Sequence, residues 1–131
     1  MHISNCALNY FGFELCTLAT VLCAIKFGPL VGALVGATSI VLGLILSINL
    51  DAGLFLAVIM FGVVGVIASF FSFQQIVFAG MLCAIVYDFV MISFYLLMGS
   101  SPVTSVVYFI THMLTTYYVF TFLAQVFISI I

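Results

Sequence analysis

Two stretches of this chain, Leu54–Val66 and Val77–Val86, are apolar at every position. A segment with no polar face has nothing to present to water. A membrane-spanning β-strand would alternate apolar and polar residues over about 10 positions, because one face meets lipid and the other a lumen. Neither run alternates, so the chain must be helical there, since a helix satisfies its own backbone groups inside hydrocarbon. The remaining sequence agrees. Of 131 residues, 68% are apolar and 3% charged, where a water-soluble domain carries about 25% charged residues. A soluble enzyme, a secreted disulfide scaffold and a disordered tail are thereby excluded. The net charge is -2 with a single lysine, which leaves no basic patch, and no nucleic-acid partner is expected. The expected partner is membrane lipid.

Breakers and polar clusters cut the chain into pieces near the length of about 20 residues that a spanning helix needs. The first runs from Tyr10 to Lys26 and ends at Gly28-Pro29; the second covers Leu30–Ile48 and ends at Asn49-Leu50-Asp51. The third is Ala52–Phe71, closed by Ser72-Phe73-Gln74-Gln75. The fourth is Ile76–Met98, closed by Gly99-Ser100-Ser101-Pro102, and the fifth runs from Val103 to Ile131. The expected fold is therefore all-α: a polytopic transmembrane bundle of about five spanning helices with short loops, one integral membrane domain over residues 1–131. Short connections make sequence neighbours antiparallel neighbours. The N-terminus lacks a positive region and a small-residue cleavage site, so it is read as uncleaved. Lys26 lies between the first two segments, and the positive-inside rule places that turn in the cytoplasm. The predicted location is the cell membrane, multi-pass.

Rare residues carry the functional reading. Asp88 falls near the middle of the fourth segment, where a charge costs about 2.5–3.5 kcal/mol to insert. The twelve Ile, Val, Leu and Phe residues of that segment each return about 0.3–0.6 kcal/mol, so the segment still inserts. Gly80, Ala84 and Asp88 repeat at a spacing of four and share a helix face, so the carboxylate points into the bundle. His112 lies about as far from the shared turn as Asp88, roughly 15 Å at 1.5 Å per residue, which makes an Asp88–His112 hydrogen bond the expectation. That pair reads either as a ligand contact or proton-relay element, or as a buried polar bridge that fixes register. Tyr108, Thr111, His112, Thr115 and Tyr118 form a polar stripe on the last segment. Glu14, Asn9, Asn49, Asp51, Ser100 and Ser101 fall at the outer side, either as hydrated loop residues or as the mouth of a pocket.

Gly28, Gly32 and Gly36 make two overlapping G-x-x-x-G units, a pattern that lets helix backbones approach closely within the chain or against a partner subunit. Cys6, Cys16, Cys23 and Cys83 show no C-x-x-C spacing and read as small apolar residues. No catalytic, nucleotide-binding or metal-ligand motif appears, so no enzyme activity, cofactor or metal is expected.

The stretch Glu14–Leu46, ELCTLATVLCAIKFGPLVGALVGATSIVLGLIL, resembles the second and third helices of the substrate-binding S components of energy-coupling-factor (ECF) vitamin transporters, joined by their short Phe-Gly-Pro turn. AGMLCAIVYDFVMISFYLLMG resembles the fifth helix with its tyrosine–aspartate pair, here Tyr87-Asp88, and VVYFITHMLTTYYVF resembles the sixth. The family has six helices; the five segments here correspond to all but the first. The resemblance implies a non-catalytic membrane subunit that captures a vitamin-like small molecule from outside. It also implies a membrane T-type subunit and separate ATPases as partners. Substrate-binding residues would be Asp88, His112, Tyr87 and Thr115, with Glu14, Asn49 and Asp51 at the entrance. Gly28, Gly32, Gly36, Gly80 and Ala84 would serve helix or subunit packing. The chain is also similar to rod-shape-determining membrane proteins of the MreD type, which would imply a non-transporting scaffold of cell-envelope synthesis.

Overall fold

A computed structural model describes the backbone of residues 2–47 and 52–131 and the side chains of residues 12–43, 45 and 52–131. Among these residues all regular structure is helical: α1 (His2–Phe27), α2 (Pro29–Ser47), α3 (Ala52–Ala68), a 3₁₀ turn (Phe73–Gln75), α4 (Ile76–Leu97), α5 (Pro102–Tyr118), a π-helical segment (Val119–Leu123) and α6 (Ala124–Ile130). The last three run on as one rod, Pro102–Ile130. The rods follow the expected segments with two shifts. The first starts at His2, eight residues before the expected Tyr10, and α3 ends at Ala68, short of Phe71.

The turns are built by the residues that break the pattern. Gly28 has φ +96°, and its N–H donates to Ala24 O at 2.9 Å, which closes α1 with a left-handed glycine cap. Pro29 then opens α2, where its missing N–H costs nothing. At the end of α4, Gly99 has φ +94°. Its N–H donates to Leu96 O at 3.1 Å and that of Ser100 to Tyr95 O at 3.0 Å, the paired bonds of a Schellman motif. Pro102 occupies the first turn of α5. Gly28 thus acts as a helix cap, and because a Cβ there would meet nothing within 4 Å it makes no close helix contact within the chain.

The helices run up and down, and α1 packs against α2, α3, α4 and α5. It is the central helix, which explains why its inner face carries the buried Glu14, Thr17 and Thr20 among Leu18, Val21 and Ala24. Thr17 and Thr20 donate back to the carbonyls of Phe13 and Cys16, at 3.2 and 2.7 Å, so neither hydroxyl is left unsatisfied. Small residues set the helix spacing, as the glycine pattern predicts. A Cβ on Gly32 would sit 2.7 Å from Ala24 Cα, and one on Gly36 would sit 3.0 Å from Phe61 O and from the Thr20 side chain. A Cβ on Gly65 would press on the α2 backbone, 2.6 Å from Gly32 C. Gly32 and Gly36 therefore spend their close-packing face inside the bundle, against α1 and α3. Gly80 leaves room for the buried Phe120 ring, whose Cγ would be 2.6 Å from an added Cβ, and Ala84 lies buried one turn further along. The π segment widens the turn there and lets both Val119 and Phe120 face inward.

Among the described residues the outer surfaces of α2, α3, α4 and the last rod carry many exposed apolar side chains. Leu30, Ile45, Phe55, Phe70, Phe89, Leu97, Val103, Phe122 and Ile130 are all exposed, Leu97 at 88%. Two helices, Phe73–Leu97 and Pro102–Ile130, are long and apolar enough to cross a membrane; Pro29–Gly43 and Ala52–Ala68 are shorter apolar helices. At one end of the bundle, Lys26 Nζ donates to Ile131 O at 3.0 Å. The turn at Gly99–Ser101 lies at the other end.

Candidate functional site

Three helices bring their rarest residues to one point. Glu14 from α1, Asp88 from α4 and His112 from α5 are 1%, 0% and 2% exposed. His112 Nδ1 lies 2.6 Å from Asp88 Oδ1, so the expected pair forms. On the other side of the ring, Nε2 lies 2.8 Å from Glu14 Oε1, an ion-pair contact not aligned as a hydrogen bond. Thr116, one turn after His112, places its hydroxyl 3.0 Å from both Glu14 oxygens. The imidazole is thus a bridge between carboxylates on α1 and α4. Burying each ion costs several kcal/mol, repaid only where the partners are close and well placed.

Glu14 therefore does not stand at an entrance; it lies at the centre of the bundle because α1 extends well before Tyr10. Thr115 does not join the cluster either. Its hydroxyl donates to Thr111 O within its own helix at 2.8 Å. Thr116 takes that place, because the face that carries His112 continues four residues on. Spacings of three and four both fit one helix face, and only the helix rotation distinguishes Thr115 from Thr116. Asn49 and Asp51 fall outside the described residues, as does the Asn9 side chain.

Aromatic rings enclose the bridge. Tyr108 stacks on the imidazole with centroids 5.5 Å apart and planes at 30°. Phe13 and Tyr87 approach it edge-on at 5.6 and 6.2 Å. Phe13, Tyr87 and Phe61 also pack on one another at 5.2 to 5.5 Å. The three rings around His112 form the floor of a cavity of about 1100 Å³. Residues of all five rods line it: Gly12 and Cys16 of α1, Ser39 and Gly43 of α2, Gly53 and Ala57 of α3, Met91 and Tyr95 of α4, and Thr104, Ser105 and Thr111 of α5. The Gly99–Ser101 turn contributes Ser100, so the cavity lies toward the end of the bundle away from Lys26. The lining is aromatic and aliphatic with hydroxyls at intervals, and no charged side chain lines it among the described residues. Among the described residues Tyr87 is the one expected substrate-binding residue that lines the cavity; Asp88, His112 and Glu14 lie beneath the floor. Tyr95 is a wall residue that sequence reasoning missed. Its hydroxyl occupies the space a Cβ on Gly53 would need, a contact that no spacing along either helix announces.

The Glu14–His112–Asp88 cluster is not shaped for a metal, because the carboxylates sit on opposite nitrogens of the ring. Among the described residues no group of three or more His, Cys, Asp or Glu is placed to hold a metal ion. Comparisons with protein-family models, with curated proteins and with solved structures find no match to this chain.

Proposed function

We propose that this chain is a multi-pass integral membrane protein and the substrate-binding subunit of a small-molecule importer, of the ECF S-component kind. The observation that carries this reading is the cavity of about 1100 Å³, built by all five rods at one end of the bundle. That volume is on the scale of small-molecule sites, which are mostly apolar with a few placed polar groups. Exposed apolar residues on α2, α3, α4 and the last rod favour a lipid surround, with about five spans and the cavity on the outer side, since the lone lysine marks the cytoplasmic end. The ligand would be uncharged or nearly so, with an aromatic or aliphatic body and hydroxyl- or amide-type groups for the serine, threonine and tyrosine hydroxyls. Tyr87, Tyr95 and Tyr108 would contact it. Energy would come from separate ATPases through a T-type membrane subunit, because the sequence holds no nucleotide-binding loop.

The test is ligand binding by the purified chain in detergent or bilayer. Native mass spectrometry should find a small molecule that co-purifies, and a panel of water-soluble vitamins should contain a compound that raises the melting temperature. Absence of both, together with a stable complex with envelope-synthesis proteins, would reject transport in favour of an MreD-type scaffold.

A further inference from the structure

The buried cluster beneath the cavity has a charge that its surroundings do not balance. An imidazolium here would hydrogen-bond Asp88 through Nδ1 and meet Glu14 through Nε2 only as an ion-pair contact, and it would leave a net charge of minus one in the core. Lys26 is the only Lys or Arg in the sequence, and it lies at the end of the bundle on Ile131 O. Among the described residues the groups that face the cluster are few. α1 presents Glu14 and the Phe13 ring, α4 presents Asp88 and Tyr87, and α5 presents His112, Tyr108 and Thr116. From α3 comes the Phe61 ring, which packs on Phe13 and Tyr87 and cannot titrate. None of these described neighbours is a cation.

The two carboxyl groups are not equivalent. Glu14 has the His112 contact and Thr116 Oγ1 at 3.0 Å from each of its oxygens. Asp88 uses Oδ1 on His112, and its Oδ2 is fully buried with no hydrogen-bond partner. An uncompensated carboxylate oxygen in a buried site is costly, and a neutral carboxylic acid there costs far less. We propose that Glu14, His112 and Asp88 form a proton-binding site in which Asp88 Oδ2 holds one proton beyond those of the imidazolium, making the cluster neutral. Asp88 Oδ1 still accepts from His112 Nδ1–H, and Glu14 remains the counter-ion. The seating of α1 against α4 and α5 is thereby linked to one proton. This inference does not rest on the cavity being a ligand site, because the proton is bound whether or not the cavity is filled.

Infrared spectroscopy of the full chain in bilayers at about pH 7 tests it, since an ordinary exposed aspartate is ionised there. The chain has one glutamate and two aspartates. In an Asp51→Asn background, the carbonyl band of a protonated carboxylic acid should be present. It should shift on ¹³C-aspartate labelling and stay put on ¹³C-glutamate labelling. Absence of the band, or a shift with labelled glutamate, would overturn the assignment. Stability gives a second reading. A proton bound by the folded chain and absent from the unfolded one makes stability fall as pH rises. Around pH 7 the unfolding constant of the parent chain should therefore rise about tenfold more per pH unit than that of Asp88→Asn. Equal slopes would overturn the proposal. So would stabilisation of the parent chain at high pH by sodium chloride but not choline chloride, since the site would then be taking sodium.

Discussion

His112 Nδ1 meets Asp88 Oδ1 at 2.6 Å with both side chains sealed from solvent. The same ring touches Glu14 at 2.8 Å on its far side, so one imidazole ties the central helix to two others. Its removal leaves two buried carboxyl groups facing an empty space. His112→Ala should lower stability by about 3–5 kcal/mol, the cost of breaking a buried pair by deleting one partner. Chemical unfolding in detergent measures it; a loss under about 1 kcal/mol would show that the bridge contributes only at the level of an exposed ion pair.

Gly65 and Gly62 lie one turn apart on α3 but differ in what surrounds them. A Cβ at Gly65 would press on the Ala33 and Gly32 backbone, and one at Gly62 would meet nothing within 4 Å. Gly65→Ala should cost about 1–3 kcal/mol through forced separation of α2 and α3. Gly62→Ala should be neutral or stabilising by up to about 1 kcal/mol, since alanine is the better helix former. Melting temperatures of the two variants side by side decide the matter.

Phe120 is fully buried against Gly80, while Phe122, two residues on in the same π segment, is 64% exposed. Phe120→Ala should cost about 3–5 kcal/mol by opening a cavity between α4 and the last rod. Phe122→Ala should change stability by less than about 0.5 kcal/mol. Equal effects would mean that the π segment does not aim Phe120 inward as described.

A Cβ at Gly12 would meet nothing within 4 Å, and this glycine lines the cavity. Gly12→Phe should fill part of that space without straining the bundle. The variant should keep the parent melting temperature and lose the ligand-induced shift. A retained shift would place ligand binding elsewhere.

Topology is open to labelling once Cys6, Cys16, Cys23 and Cys83 are replaced. Ser100→Cys and Gln74→Cys lie at opposite ends of α4, whose 22 residues span about 33 Å at 1.5 Å per residue. A membrane-impermeant maleimide added outside intact cells should label Ser100→Cys and spare Gln74→Cys. The reverse pattern would invert the orientation inferred from Lys26, and labelling of both from one side would argue against α4 as a span.

Helix identity and most helix ends were legible in the sequence, because they follow from local causes. Unbroken apolar runs exclude strands, and Gly28-Pro29 and Gly99–Pro102 stop one helix and start the next wherever they occur. Asp88 was legible as an inward-facing residue because its face also carries Gly80 and Ala84, and its depth matched that of His112. Other features depend on how helices distant in sequence rotate against each other. Glu14 belongs beside His112 only because α1 is the central helix, packed closely on α2 where Gly32 and Gly36 meet Ala24 and Thr20. Thr116 replaces Thr115 because a rotation of α5 by a fraction of a turn chooses between neighbours that periodicity treats alike. The cavity is a space between five rods, and Tyr95 reaches its wall through the gap that Gly53 leaves on another helix. Composition and spacing determined what each helix is; only packing decided which rare side chains share a point.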